Sequence, residues 1–137
     1  MYENILLLLD CSPVDEAIVN HVVALARIHK STVHLFHVVH AHTLDQERAL
    51  VAAARECLSK AQEVFEKEHI PTTSSFSEGE PSEVVSEKVI GSDFDLVALA
   101  THGHRGLSDV LLGSVSRTLK HESNKPLLLV RGKKQGV

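Results

Sequence analysis

The sequence predicts an α/β protein: one domain built on a doubly wound, five-stranded parallel sheet with helices on both faces. Three observations predict it. Short aliphatic runs recur along the chain, and the first is too continuous for a strand with one wet face. Amphipathic helical patterns separate these runs, giving the order β-α-β-α-β-α-β-α-β. At 137 residues there is room for one core and not for two ordinary domains. Right-handed crossovers then place the helices on both sides of the sheet.

The elements follow in order. NILLLLD, from Asn4 to Asp10, is the first strand. Ser12-Pro13-Val14-Asp15 reads as a helix start, with Ser12 as N-cap, Pro13 in the first helical position and Asp15 completing a capping box. Ile18, Val22, Leu25 and Ile28 carry the helix's apolar stripe to about His29. STVHLFHVV is β-branched and forms the second strand. A long helix is expected from about Asp45 to Glu68, its apolar face made by Leu50, Ala54, Cys57, Ala61 and Val64 and its charges solvated. Pro71 to Ser77 is polar, as suits an edge strand.

Glu80-Pro81 opens a third helix bearing Val84, Val85, Val89 and Ile90, and Gly91 stops it. FDLVALA is the fourth strand, Ser114 to about Ser123 a helix, and KPLLLVR the fifth strand. The expected domain is 1–132, with 133–137 a flexible tail.

Composition excludes several functions. A net charge of -4 gives no general attraction to nucleic acid. Aromatic residues make up 4% of the chain, so the stacking platforms of single-strand binders are missing. No window approaches the roughly 20 apolar residues that span a bilayer. MYENILLLLD lacks the basic and apolar regions of a signal peptide, and a cytoplasmic protein is expected. Cys11 and Cys57 have no CxxC spacing and are expected as reduced thiols.

In a doubly wound sheet, ligands bind beyond the carboxyl ends of the strands, where strand order reverses. Two loops qualify: Asp10-Cys11-Ser12 after the first strand, and ALATHGHRGLSDVLLGSVS after the fourth. Gly103 permits close approach of backbone amides to an anion. Gly113 and Ser114 are expected at a helix start, where free N–H groups and the dipole favour phosphate. Ser114 and Ser116 add hydroxyls, Arg105 a cation, and Asp10 a group for a sugar hydroxyl or a metal ion. On spacing alone, a crossover loop shaped by its glycines competes with a phosphate cradle.

Gly103, nine residues, then Gly113-Ser114 resembles the second half of the nucleotide motif of the universal stress proteins. ILLLLDCSPVDEAIVNHVVALA is similar to that family's first strand, Asp-x-Ser turn and first helix; VHLFHVV and SNKPLLLVR resemble its second and last strands. The resemblance implies a Rossmann-like, adenine nucleotide alpha hydrolase-like fold. It also implies a cytosolic nucleotide-binding protein of the stress response, with ATP and Mg²⁺ as ligands. It further implies a homodimer through antiparallel pairing of the last strand, Pro126 to Arg131.

Carried over by position, Asp10 lies near the ribose, and Val38 meets the adenine through its backbone. Ala100, Gly103, Gly113, Ser114 and Ser116 line the phosphates. The whole candidate set adds Leu9, Cys11, Ser12, Leu99, His102, His104, Arg105 and Val115. Mg²⁺ is held through the phosphates, with Asp10 as the one protein candidate. Two positions depart from the pattern: Ala100 replaces the first glycine, adding a methyl where phosphate approaches, and Leu8 stands where proline is frequent.

Other readings compete. His102 and His104 have the chemistry of an acid–base pair, but no activated nucleophile stands beside them in sequence. HVVHAH resembles a metal cluster by composition; on a strand, however, His37 and His40 point to opposite faces, and a third ligand is not apparent. The expectation is a nucleotide binder, at most a weak ATPase, with no catalytic residues assigned. A slow ATP hydrolase or phosphotransfer protein lacks a Walker lysine after the glycine-rich loop. A dimeric interaction module independent of ATP is the third class.

Overall fold

The most aliphatic run takes the centre of the sheet. In the computed structural model, which describes residues 1–101 and 107–132 (the side chains of 107–112 excepted), β1 (Asn4–Leu8) is the middle strand. It is followed by α1 (Asp15–His29), β2 (Thr32–Val39), α2 (Leu44–Lys67), β3 (Thr72–Glu78), α3 (Pro81–Val89), β4 (Leu96–Thr101), α4 (Leu107–Glu122) and β5 (Leu127–Arg131). The strand order is β3-β2-β1-β4-β5 and every pairing is parallel, with Leu7 opposite Leu35 on one side and Ala98 on the other. Chain order therefore reverses beside β1.

Strand alternation sends β1's side chains into two cores. Ile5, Leu7 and Leu9 pack with Val14, Ile18, Val22 and Ala26 around α1, and with Leu58 and Phe65 of α2. Leu6 and Leu8 face the other way, onto Val85 and Val89 of α3 and Val115 and Leu119 of α4. Both faces are covered, which explains why the run does not alternate with polar residues. Burying each such side chain contributes about 1.5–3 kcal/mol. No helix among the described residues is long and apolar enough to cross a membrane.

Three local expectations are corrected. The capping box at α1 does not form: Val14 holds the N-cap position without a side-chain bond, and Asp15 turns back to the preceding loop. The Asp10 and Cys11 amides are partly buried in a sharp turn, and the carboxylate satisfies them in place of the helix's first turn. In α2 the buried residues are Ala54, Leu58 and Phe65; Leu50 and Val64 are exposed. The stripe is rotated because α2 also covers the polar edge strand β3, where Gln62 bonds the Thr72 carbonyl and Ser74.

The third correction concerns α4. It starts at Leu107, so Gly113 and Ser114 lie inside it and not at its start. Leu107, Leu111 and Leu112 are strong helix formers, and a glycine in mid-helix costs only about 1 kcal/mol against alanine, so the helix runs through it. At α3, by contrast, the signals act as expected: the Glu80 side chain accepts the Glu83 N–H, Pro81 follows it, and Gly91 has φ +75°.

Candidate functional site

The candidate site begins where β1 ends. The Leu9 N–H still donates to the Phe36 carbonyl of β2 (2.8 Å), and His37 Nδ1 lies 2.7 Å from the Leu9 carbonyl oxygen. A carbonyl only accepts, so Nδ1 donates in this bond and Nε2 is left on the outer edge of the ring. His40 makes the same kind of bond to the Gly79 carbonyl at 3.0 Å.

Beyond Leu9 the chain turns sharply, and Cys11 takes a left-handed conformation with φ 60°. Asp15 supports this turn from beneath. Its carboxylate accepts the Asp10 N–H at 3.0 Å and the Cys11 N–H at 2.7 Å. Burial raises its pKa to about 6, overcoming the backbone N–H groups of Asp10, Cys11 and Ser12, which lower it; the Asp10 carboxylate adds a smaller upward push. The next residue, Ser12, has a buried hydroxyl with no hydrogen-bond partner among the described residues.

Cys11 is not a free thiol. It is disulfide-bonded to Cys57 of α2, with Cα atoms 5.8 Å apart, which corrects the expectation of reduced cysteines. The parallel crossover brings residues far apart in sequence to adjacent positions on one face of the sheet, and the two side chains meet there. Cys11, Asp15 and Cys57 are also the one grouping of metal-ligand residue types among the described residues, but both sulfurs are committed to each other.

A cleft of ≈ 240 Å³ opens over this turn. Its floor is Leu8 at the end of β1 with Leu9, Asp10 and Cys11 of the turn that follows, and Phe36, His37, Val38 and Val39 of β2 with His40 just beyond it. Leu50, Ala53 and Ala54 of α2 form one wall, and Pro81 and Val85 of α3 with Val115 of α4 form the other. The α2 wall follows from length. Twenty-four helical residues extend about 36 Å, whereas the eight of β2 extend about 26 Å, so the first turns of α2 overhang the strand ends.

Of the residues singled out from sequence, Leu9, Asp10, Cys11, Val38 and Val115 are brought together around this cleft. Ser12 is next to it. Leu99 and Ala100 are fully buried in β4, one in each core, so the methyl of Ala100 packs inside the protein. The Ser114 hydroxyl pairs with that of Ser82 at 2.7 Å, and Ser116 donates to the Gly113 carbonyl at 3.1 Å, so both are engaged within the protein. His102, Gly103, His104 and Arg105 lie outside the described residues. Sequence reasoning missed Phe36, Leu50, Ala53, Ala54, Pro81 and Val85. Their only signal was apolar character, which serves the core equally well.

An open parallel sheet with a cleft beyond the carboxyl ends of β1 and β2, next to the point where strand order reverses, defines an α/β domain of the doubly wound class. The chain belongs to the universal stress protein family, whose profile matches residues 1–131. It is 34% identical over 55 residues to universal stress protein MJ0577 of Methanocaldococcus jannaschii, a match covering 40% of this chain and 34% of that protein's length. The chain thus spans about a third of the curated relative it matches in sequence.

In three dimensions the likeness to MJ0577 covers 98% of this chain and 99% of the other, with a TM-score of 0.79 at 24% identity. A universal stress protein from Archaeoglobus fulgidus in complex with dAMP matches with a TM-score of 0.71 at 21% identity, over 94% and 98% of the two chains. A family protein from Arabidopsis thaliana with AMP bound matches with a TM-score of 0.72 at 14% identity, over 95% and 92%.

Proposed function

We propose that the cleft binds an adenine nucleotide, ATP with Mg²⁺, and that occupancy is the signal of a cytoplasmic regulatory module of the stress response. The observation that carries this reading is the cleft itself: apolar walls, strand-end backbone and the Asp10 carboxylate meet beyond β1 and β2, and the buried Ser12 hydroxyl next to Cys11 has no partner among the described residues. Adenosine monophosphates bound to two relatives of the same fold support it.

The residues fit the ligand in parts. Val38, Leu50 and Ala53 offer apolar surface for a base, and His37 Nε2 lies at the cleft for a hydrogen bond to the base edge. Asp10 is the one carboxylate at the cleft among the described residues, suited to a ribose hydroxyl or to Mg²⁺, which binds through one or two carboxylates plus phosphate oxygens. The Ser12 hydroxyl, buried next to Cys11 and without a partner among the described residues, is a further donor at the edge of the cleft. The phosphates would run from Asp10 towards the carboxyl end of β4 at Thr101 and the residues that follow it. Bound Mg²⁺ supplies charge neutralisation for those phosphates.

The working unit is a homodimer through β5. That strand forms one edge of the sheet, carries the sequence LLLVR and leaves Leu129 42% exposed, a poor edge to present to water.

The test is the nucleotide content of the protein as purified, followed by melting with and without ATP-Mg²⁺. Ligand at 100-fold above its dissociation constant stabilises the fold by about 2.7 kcal/mol. Ala53 is exposed at the cleft wall, so Ala53→Trp fills the cleft without entering the core and is expected to abolish the shift. No copurified nucleotide and no shift in the wild type refutes the reading. Light scattering at micromolar concentration tests the dimer, and a monomer counts against it.

A further inference from the structure

The nucleotide reading leaves the Cys11–Cys57 disulfide without a role, yet it joins two parts of the same cleft. Cys11 is in the floor. Cys57 is on α2, three and four residues beyond Ala54 and Ala53, and so on the helix face that walls the cleft. Before Leu58, the one buried residue of α2 is Ala54; Leu44 and Leu50 are exposed. The overhanging half of α2 is therefore weakly held by packing, and the disulfide is its covalent tie to the turn after β1. On the other side of that tie the turn is fixed, by Asp15 on two amides and by His37 on the Leu9 carbonyl. Both cysteines are half-buried, within reach of a small thiol.

We propose that Cys11 and Cys57 form a reversible dithiol–disulfide couple that sets the width of the cleft, the reduced form being the better nucleotide binder. The inference rests on the nucleotide reading of the same cleft. Its co-reactant is a low-molecular-weight thiol of the glutathione class. A thiolate attacks one sulfur of the pair, breaking the S–S bond and forming a mixed disulfide; a second thiol then releases the protein cysteine. In total two thiols become one small disulfide, and two electrons and two protons pass to the protein, leaving two Cys–SH groups. Oxidation by the small disulfide is the reverse.

Two thiol sulfurs in van der Waals contact need more room than two bonded ones, so reduction moves α2 away from the fixed turn. The movement enlarges the cleft, which at ≈ 240 Å³ is below the roughly 300–1,000 Å³ of sites that enclose a drug-sized ligand. Oxidation closes it again onto the base and ribose region.

The experiment uses the full chain equilibrated with dithiothreitol or with oxidised glutathione, and the thiols are counted by mass after alkylation. ATP-Mg²⁺ affinity of each form is then measured by calorimetry. The reduced form is expected to bind roughly five-fold tighter or more. Cys57→Ser, which alters no residue lining the cleft, is expected to bind like the reduced wild type under both conditions. Equal affinities, tighter binding by the oxidised form, or a pair that does not exchange in the folded protein overturns the switch alone. Nucleotide binding by neither form overturns the nucleotide reading and the switch together.

Discussion

The Asp15 carboxylate accepts the Cys11 N–H at 2.7 Å, and its other oxygen accepts the Asp10 N–H at 3.0 Å. One acid at the start of α1 thus shapes the turn that floors the cleft. Burial, with the Asp10 charge as a lesser contributor, raises its pKa to about 6 although both amides oppose this.

That shift makes a signed prediction. In the unfolded chain Asp15 titrates near 3.9, so it gives up its proton there well before it does in the fold. Its contribution to stability is fully present below about pH 4 and is lost as pH rises through about 6. The loss is on the order of 3 kcal/mol. Urea unfolding of wild type and Asp15→Asn from pH 4 to 7 checks it: the difference between the two curves should change by about that amount. Parallel curves would remove Asp15 as the titrating group.

His34 carries a slope of the opposite sign. Its ring bridges β2 to the edge strand, with Nδ1 2.6 Å from Thr73 Oγ1 and Nε2 2.8 Å from Ser75 Oγ. Burial lowers its pKa, and the Lys88 charge lowers it further. Unfolded histidine therefore binds a proton first on acidification, and the contribution present above about pH 6.5 is lost as pH falls through the depressed folded value. His34→Gln should lack this acid-side loss. The two effects oppose each other in the wild type, and each single variant is expected to reveal the slope of the other.

Gly79 fixes the turn from β3 into α3, and with it Pro81 and Val85 at the cleft. Its φ of +147° is rarely open to other residues, and an added Cβ would lie 2.7 Å from Val84 Cγ2. Its N–H donates to Val39 and its carbonyl accepts from His40, so the backbone cannot easily yield. Gly79→Ala is expected to destabilise the protein by about 1–3 kcal/mol. The urea midpoint should fall with an unchanged slope.

The architecture was legible because strands and helices write different periods into the sequence, and both survive packing. Order, parallel pairing and the polar edge strand β3 follow from NILLLLD, the Val-rich helices and TTSSFSE. The cleft was half legible. Asp10 and Cys11 follow from their place after the first strand and Val38 from the family resemblance, whereas Leu50, Ala53 and Pro81 reach it only through the overhang of α2 and the turn at Gly79. The disulfide was hidden for a similar reason. Forty-six residues separate its cysteines, and only the stacking of α2 against the β1 turn makes them neighbours. Asp15 misled because an acid three residues after serine suits a capping box, while two partly buried amides nearby compete for the same oxygens.

Gly113 divides the motif from the structure most sharply. As a cradle residue at a helix start, it would present its amide to phosphate, and a side chain there would impair binding. Inside α4, however, Gly113 is exposed and an added Cβ meets nothing within 4 Å among the described residues. Alanine then removes a flexible residue from a helix interior, worth about 0.5–1 kcal/mol of added stability. Gly113→Ala is expected to raise the melting temperature by a few degrees, on the order of 2–5 °C for a domain of this size. It should also leave the ATP-Mg²⁺ shift intact, because the cleft's α4 contribution comes from Val115 and not from Gly113. A variant that melts no higher than wild type, or that loses the nucleotide shift, would restore the helix-start geometry and return the phosphates to Gly113 and Ser114.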